Sequence, residues 1–385
     1  MPSRLAIDMG YVQDVLLRLL RTPSPSGRTD QVMQLVGEEL TALGVPFTMT
    51  RRGAIVANLR GTADPAGPDR AIVVHADTIG CMVKRVKESG RLELAPIGTH
   101  SARFSEGARV TIFVDDLDQQ LYTGTILPLM ASGHRYGDAV DAQGVGWEQV
   151  EVRIDEDVAS PDDVAACGIQ VGDFVALDAQ PEITASGFVR SRHLDDKGGI
   201  AAALGACKAV VDAGAELPVD AHLLITIAEE VGLGATHGID PDVAELVSID
   251  TAVVAPGQTS SEHTVNIVMQ DASGPFDYHL ARRLSALATE HGIEHRRDLY
   301  TYYRSDAASA LQAGAETRAA VMGFGIDASH GHERTHLDGI RRTAELAAVY
   351  LQTELTFPYW DAGQRGELRD FPSRSVQPAV EQRPC

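Results

Sequence analysis

The sequence predicts an α/β fold: a mixed sheet sandwiched by helices, with an inserted all-β, barrel-like unit. Before residue 81 and after residue 183, apolar stretches of strand length alternate with segments whose apolar residues recur at helical spacing. Such alternation is typical of a sheet that helices cover on both faces. Between those limits, short strand-like pieces follow one another without a long helix. We therefore expect two architectures within one chain.

The predicted elements follow in chain order. Two opening helices, at 12–20 and 31–43, precede apolar strands at 53–59 and 71–77. After the insert, the next helix is expected at 198–214, where Gly214 provides a C-terminal stop. The remaining helices are expected at 276–292, 304–314 and 339–357, and the remaining strands at 219–230, 245–254, 265–271 and 319–326.

These elements suggest domain boundaries. Residues 1–80 and 184–360 are expected to form one discontinuous domain, and residues 81–183 form the β-rich insert. Residues 361–385 lack apolar periodicity, which predicts a flexible C-terminal tail.

Composition limits the function classes. The chain has 385 residues, 44% of them hydrophobic, and a formal net charge of −21. Such acidity argues against nucleic acid or an anionic membrane as a partner and favours the binding of cations. The four cysteines are far apart and form neither a disulfide framework nor a thiolate zinc motif. The first 20 residues lack the apolar core of a signal peptide or membrane span, so a soluble cytoplasmic protein is expected.

Acidic and histidine side chains follow three predicted strands at the points where the strands end. His75 and Asp77 close "AIVVHAD", Glu229 and Glu230 close "LLITIAEE", and Asp250 closes "LVSID". Taken singly, each has an ordinary structural explanation, such as a solvated strand end or a turn. In an open α/β sheet, however, ligands bind beyond the carboxyl ends of the strands, where these groups would meet.

A fourth group stands at the entrance to a predicted helix, in "SRHLDDKGGIAAAL". Asp195 or Asp196 could simply cap that helix by accepting free backbone N–H groups. The coincidence of four such groups favours a metal site instead. One imidazole and several carboxylates suit a divalent ion such as zinc, cobalt or manganese. Asp195 could bridge two ions, which together could polarise a carbonyl and generate a hydroxide near neutral pH.

The order of these motifs resembles that of co-catalytic di-metal aminopeptidases. H-x-D is followed by D-D-K-x-G, by E-E-V-G, by an Asp at a strand end and by a late histidine. Within that group the sequence is most similar to the tetrahedral aminopeptidases, the glutamyl aminopeptidase family, whose members were once named endoglucanases. "SPSG", "HADTIGCMVK" and the position of the β insert support a likeness that runs from about residue 10 to 357.

The resemblance implies a role for each group. Two divalent ions are expected, bound by His75, Asp195, Glu230, Asp250 and one late histidine, with Asp195 as the bridge and a cis bond between Asp195 and Asp196. Glu229 is implied as the general base. Asp77 is implied as the residue that orients His75, since residues two apart on an extended chain share one side.

Three histidines in "IDASHGHERTHLDGI" compete for the last ligand position: His330, His332 and His336. Family members usually carry R-Y-x-H before the closing helix, and "ERTH" matches that register best, which favours His336. The chain departs from the family pattern at Thr78, where an acidic residue is common, and at Lys197, where Arg is common. The pattern resembles a divergent bacterial subgroup linked to the osmoprotectant N-acetylglutaminylglutamine amide, so the substrate need not be the family's usual one.

The resemblance thus implies a cytoplasmic metallo-aminopeptidase that removes N-terminal residues from short peptides. The insert is expected to drive dimerisation, with six dimers forming a hollow tetrahedral dodecamer. An amidase or deacylase acting on a blocked dipeptide, using the same ions, stays open. A non-enzymatic scaffold stabilised by metal is also open, although a scaffold would have no need of an acidic residue beside Glu230.

Overall fold

The computed structural model describes residues 2–63, 67–114 and 121–357, and the tail predicted for 361–385 lies outside them. Within these ranges the helices are α1 (Met9–Leu20), α2 (Asp30–Ala42), α3 (Gly133–Tyr136), α4 (Pro161–Ala166), α5 (Leu194–Ala213), α6 (Tyr278–Glu290), α7 (Asp306–Gln312) and α8 (Leu337–Leu351). The strands are β1 (Phe47–Met49), β2 (Ile55–Leu59), β3 (Asp69–His75), β4 (Gly80–Val86), β5 (Leu92–Ile97), β6 (Arg109–Phe113), β7 (Leu121–Pro128), β8 (Val150–Ile154), β9 (Phe174–Leu177), β10 (Glu182–Ile183), β11 (Phe188–Ser191), β12 (Ala221–Thr226), β13 (Val243–Ile249), β14 (Ala252–Val253), β15 (Val265–Asp271), β16 (Gly274–Pro275), β17 (His295–Leu299), β18 (Arg318–Ile326) and β19 (Glu333–His336).

The main sheet runs in the order β1-β2-β12-β3-β13-β18-β15-β16, with β17 paired to β15 and β14 to β18. Its four central strands, β12, β3, β13 and β18, are neighbours and all parallel. Antiparallel pairs flank them, at β2 on one side and β15 on the other. The predicted mixed sheet is therefore confirmed. Because the central strands are parallel, their carboxyl ends lie along one edge of the sheet.

Helices cover the two faces unequally. Alternate residues of β3 point to opposite faces, with Ile72 and Val74 packed under α1, α2, α5, α6 and α8. On the other face, Ala71 and Val73 join a smaller cluster to which α7 contributes Ala307 and Ala310. The predicted sandwich is present, with five helices on one side and one short helix on the other within the described residues.

Helix α5 is buried almost throughout, which explains its run of small residues. A Cβ atom at Gly198 would lie 2.5 Å from the Phe324 ring, and one at Gly205 would lie 2.6 Å from a Val12 methyl group. Larger side chains would force α5 away from β18 and α1, because a close-packed core has no room to absorb them. The glycines therefore fix the position of the helix whose first turn carries Asp195.

The insert is a closed barrel of six strands in the order β4-β5-β8-β7-β6-β9. It has a hydrophobic core of its own, in which Val83, Val110 and Val152 are fully or almost fully buried. The barrel-like all-β insert predicted from the sequence is thus confirmed. The chain leaves it through β10 and β11, which form a small sheet with β19 that the sequence did not predict. Across the described ranges, no helix combines the length and apolar character needed to span a membrane.

Candidate metal centre

The predicted side chains gather where the four central parallel strands end. His75 is the last residue of β3, and Asp250 directly follows β13. Glu229 and Glu230 lie just beyond β12, and the segment 327–332 follows β18. Side chains as far apart in the sequence as His75 and His330 therefore share one sheet edge, because the strands before them are parallel neighbours.

Asp195 is the centre of this group. Its Oδ1 lies 3.1 Å from Nε2 of His75, and its Oδ2 lies 3.5 Å from Nε2 of His330. His330 Nε2 is also 3.4 Å from Oε2 of Glu230. Donor atoms of His75, Asp195 and Asp250 all lie within 4.8 Å of one another. One carboxylate thus lies between two imidazoles, each accompanied by a further carboxylate.

The backbone at Asp195 departs from helical geometry, with φ −74° and ψ 107°. The peptide bond between Asp195 and Asp196 is cis, as the resemblance implies. Asp196 faces the end of β3, where its Oδ2 accepts a hydrogen bond of 3.4 Å from the His75 backbone N–H. Asp195 thus faces the imidazoles, whereas Asp196 faces the strand.

Asp77 holds the neighbouring elements in place through both its backbone and its side chain. Its backbone carbonyl accepts a 3.0 Å hydrogen bond from Nδ1 of His75, whereas its carboxylate lies 3.7 Å from that nitrogen. The carboxylate instead accepts from the backbone N–H groups of Glu229 and Glu230, at 3.0 and 3.3 Å, and from the Ser26 hydroxyl at 2.5 Å. The sequence placed Asp77 beside His75, but it did not predict that its carboxylate would position the glutamate pair.

The two glutamates point in different directions. Glu230 Oε1 accepts a 3.2 Å hydrogen bond from the Ile79 N–H, and its other oxygen faces His330. Glu229 Oε2 lies 3.9 Å from His75 Nε2. Glu230 thus points into the candidate centre, and Glu229 lies beside the candidate ligand His75.

The electrostatics of this cluster indicate a need for positive charge. Burial raises the pKa values of the Glu229 and Asp250 carboxyls well above their usual range and that of Glu230 to about 7. Burial acts in the opposite direction on the imidazoles, yet the carboxylates around them raise the pKa of His330 to about 11 and that of His75 well above its ordinary value. Buried carboxyl groups outnumber the imidazoles that face them, and a buried charge is stable only when it is compensated.

A divalent cation fits this donor set. Imidazole and carboxylate are the ligands that zinc and related ions accept, and the donor atoms converge from several elements. His75 also has the outer partner that such ligands need, because Nδ1 is engaged by the Asp77 carbonyl and Nε2 faces Asp195. Asp196 Oδ1 is buried without a hydrogen-bond partner among the described residues, a further sign of uncompensated negative charge.

The structure brings His330 into the centre and places His336 elsewhere. His336 is the last residue of β19, which pairs with β11. It caps α8 by accepting from the Asp338 N–H at 3.0 Å, and its Nε2 donates to the Ser186 carbonyl at 2.8 Å. Both ring nitrogens are therefore occupied. The register of "ERTH" takes no account of the strand β19, which carries the chain away from the carboxyl end of β18, so the geometry favours His330 over His336 as the candidate ligand.

His336 belongs to a second cluster with His263 and Asp338. Arg341 and Arg342 lie 2.7 and 3.7 Å from the Asp338 carboxylate, so its negative charge is already balanced. The third candidate, His332, is exposed beside two arginines. Neither location suits a metal ligand.

The barrel insert contributes to the centre. Nδ1 of His330 donates a 2.8 Å hydrogen bond to the Thr99 carbonyl, in the loop after β5. The neighbouring Gly98 has φ +76°, and a Cβ atom there would lie 2.9 Å from the Ile79 side chain and 3.4 Å from Glu230. The insert therefore orients one candidate ligand and packs against another.

Sequence reasoning missed two further buried carboxyl groups. The Glu333 carboxylate accepts hydrogen bonds from the backbone N–H groups of Asp195 and His330. The Asp306 carboxylate accepts hydrogen bonds from the Thr226 hydroxyl at 2.5 Å and from the Ala235 N–H at 2.7 Å. It therefore fixes both ends of the segment that carries the glutamate pair. An acidic residue three positions after His330 was the only available signal for Glu333, and no sequence signal pointed to Asp306.

Comparison with known proteins identifies the family. The sequence profile of the M42 glutamyl aminopeptidases matches residues 53–346, a range that contains every candidate ligand. The chain belongs to this family. It is accordingly a peptide hydrolase, and the resemblance found in the sequence is confirmed.

Individual relatives agree with that assignment. The chain is 38% identical over 342 residues to YhfE of Bacillus subtilis (strain 168), provisionally named an aminopeptidase, covering 89% of this chain and 97% of YhfE. Aminopeptidase APDkam598 from the archaeon Desulfurococcus kamchatkensis superposes with a TM-score of 0.82 at 22% identity, over 93% of this chain and 99% of that one. The TET1 peptidase of Pyrococcus horikoshii, which can assemble into a tetrahedron or a large octahedral shell, gives 0.77 at 20% identity, over 89% and 100%. Because both identities are below 25%, these two structures show only that this chain has the same fold.

We expect His330→Ala to abolish the binding of one of two cations, because its Nε2 faces both Asp195 and Glu230. His336→Ala should retain both cations and lose about 1 kcal/mol of stability through the missing helix cap. Metal analysis of purified protein and thermal unfolding measure the two effects. Loss of a cation from His336→Ala alone would reverse the assignment.

Gly98→Ala should lower peptidase activity, because the added methyl group displaces the loop that orients His330. Gly107→Ala is the matched control: Gly107 has a similar φ of +78°, but no atom lies within 4 Å of its added Cβ. Both variants should lose stability by about 1 kcal/mol, the cost of a left-handed alanine. Only Gly98→Ala should change kcat/KM, and equal kcat/KM values for the two variants would exclude the insert from the centre.

Proposed function

We propose that the protein is a metal-dependent aminopeptidase that removes N-terminal residues from short peptides. The observation that carries the proposal is the convergence of two imidazoles and four carboxylates at one sheet edge of an M42 chain. Metal binding, the substrate and the roles of individual residues all belong to this proposal.

His75 and Asp250 would hold one divalent cation, and Glu230 and His330 would hold the other, with the Asp195 carboxylate shared between them. Zinc suits these ligands best, and cobalt or manganese would also be accepted. When bound, such ions lower the pKa of water and polarise the carbonyl of a peptide bond.

Glu229 is proposed as the general base. It is buried beside His75 but is not needed as a ligand, so its carboxylate is free to take a proton from the attacking water. As the water oxygen bonds to the scissile carbonyl carbon and the C–N bond breaks, Glu229 returns that proton to the leaving amine. Asp77 supports this role, because its carboxylate accepts a hydrogen bond from the Glu229 backbone N–H and so positions the proposed base.

We further propose a cytoplasmic oligomer assembled through the barrel insert. The insert exposes apolar residues, including Leu121 and Val171 at 53% and 66% of their surface. These side chains would be available for burial against a second subunit. The related TET1 peptidase can assemble into a tetrahedron or a large octahedral shell, and this chain is proposed to form a tetrahedral dodecamer of six dimers.

Glu229→Gln should retain both cations and lower kcat by about 10²- to 10⁴-fold, the usual contribution of a positioned general base. Metal analysis and steady-state kinetics of the same preparation measure both quantities. Normal turnover in a variant that holds both cations would disprove the assignment of the base.

Matched peptides with free and acetylated N-termini test the substrate. We expect metal-loaded protein to release the first residue of the free peptide and to leave the acetylated one intact. Cleavage restricted to acetylated dipeptides would identify a deacylase instead. Bound cations without hydrolysis of any peptide would identify a scaffold.

A further inference from the structure

Glu333, the first residue of β19, is a buried carboxylate that the proposed reaction does not use. It is 2% exposed. Its Oε2 accepts a 3.2 Å hydrogen bond from the Asp195 backbone N–H, and its Oε1 accepts one of 2.9 Å from the His330 backbone N–H. Each oxygen of one side chain is thus bonded to the main chain of a different candidate ligand.

The two donors belong to segments that are otherwise separate. Asp195 precedes the regular part of α5, and His330 lies in the loop between β18 and β19. His330 has a left-handed backbone, with φ +63°, which is uncommon for a residue other than glycine. Because Glu333 bonds to both segments, it fixes the distance between the carboxylate of Asp195 and the imidazole of His330.

A glutamate is required here because both facing groups are donors. An ionised carboxylate can accept a hydrogen bond at each of its two oxygens. The side-chain amide of glutamine has only one oxygen, and its NH2 group would face one of the two backbone N–H donors. Glutamine fills the same volume but leaves one buried N–H without a hydrogen-bond partner, which lowers stability. The substitution therefore tests the pair of acceptors without removing atoms from the core.

We propose that Glu333 is a positioning residue that holds Asp195 and His330 at the spacing needed to bind the second cation. The inference rests on the proposed function, since it concerns the same centre. Glu333 contacts neither the substrate nor the attacking water in this scheme. Its effect reaches the reaction only through the two ligands.

Glu245 offers a matched control at the other end of the sheet. It is fully buried near the start of β13, and its carboxylate accepts two hydrogen bonds, from the Tyr350 hydroxyl at 2.9 Å and from the Thr356 N–H at 2.5 Å. Glu245→Gln therefore removes the same acceptor from an equally buried carboxylate, but far along β13 from Asp250.

The test is titration of cation-free protein with Zn²⁺ and with Co²⁺, together with thermal unfolding of the cation-free forms. We expect Glu333→Gln to weaken one of two binding steps by about 10- to 100-fold, the usual effect of losing a partner of a metal ligand. The other step depends on Asp195 but not on His330, so it should weaken by less. Glu245→Gln should bind both cations normally, even where its unfolding temperature falls as far.

The proposal would be overturned if both binding steps of Glu333→Gln had the wild-type affinity. It would also be overturned if Glu245→Gln weakened cation binding as much as Glu333→Gln does, because the effect would then be one of general stability. Should Glu333→Gln fail to fold, Glu333→Asp replaces it, since it keeps two acceptors but cannot reach both donors, and the same selective loss is expected. The wild-type titration separates the two levels of inference. A wild type that binds no cation contradicts the proposed function. A wild type that binds two, together with a Glu333→Gln variant that binds both with unchanged affinity, contradicts only the role of Glu333.

Discussion

The structure depends on one electrostatic constraint: carboxylates buried at the ends of four parallel strands must be compensated by positive charge. Parallel strands bring their carboxyl ends to one edge, which is why β12, β3, β13 and β18 deliver their following residues to the same place. The apolar strands exclude water from that edge, so each carboxyl group there loses its hydration. The imidazoles of His75 and His330 balance only part of the charge. The remaining negative charge is the physical basis for the proposed binding of cations at this edge.

Much of this arrangement could be predicted from the sequence, because the relevant residues directly follow apolar strands. His75 and Asp250 stand immediately at strand ends, and the adjacent carboxyl groups of Asp195 and Asp196 interrupt an otherwise apolar helix. The sequence did not favour His330 over His336 as the last candidate ligand, because the short strand β19 and the cap of α8 have no apolar periodicity that sets the two histidines apart. The position of Glu333 in the centre could not be predicted either, because it is defined by hydrogen bonds to the backbone of two other segments.

The barrel insert has a second consequence that its sequence could not indicate. Short strand-like segments without a long helix predicted a β-rich insert, and the structure closes its strands into a barrel. However, the Thr99 carbonyl that orients His330 is a backbone atom, so no side chain marks it. An assembly module would tolerate small shifts relative to the catalytic sheet. A module that also orients a candidate ligand cannot shift in this way. The close packing at Gly98, where an added Cβ would lie 2.9 Å from Ile79, leaves little room for such a shift.

Hydrogen bonding separates the acidic residues of the centre into two kinds. Asp77, Asp306 and Glu333 each accept at both oxygens from backbone N–H or hydroxyl donors of the protein. Their charge is satisfied by these donors, so they hold loops in place. Glu230 instead turns one oxygen toward an imidazole, and Asp195 presents its two oxygens to His75 and His330. Because cation binding requires lone pairs that the protein has left available, the donors already present decide which carboxylates can be ligands. On that physical ground Glu333 is a support for the centre rather than a sixth ligand, although it is as deeply buried as the ligands themselves.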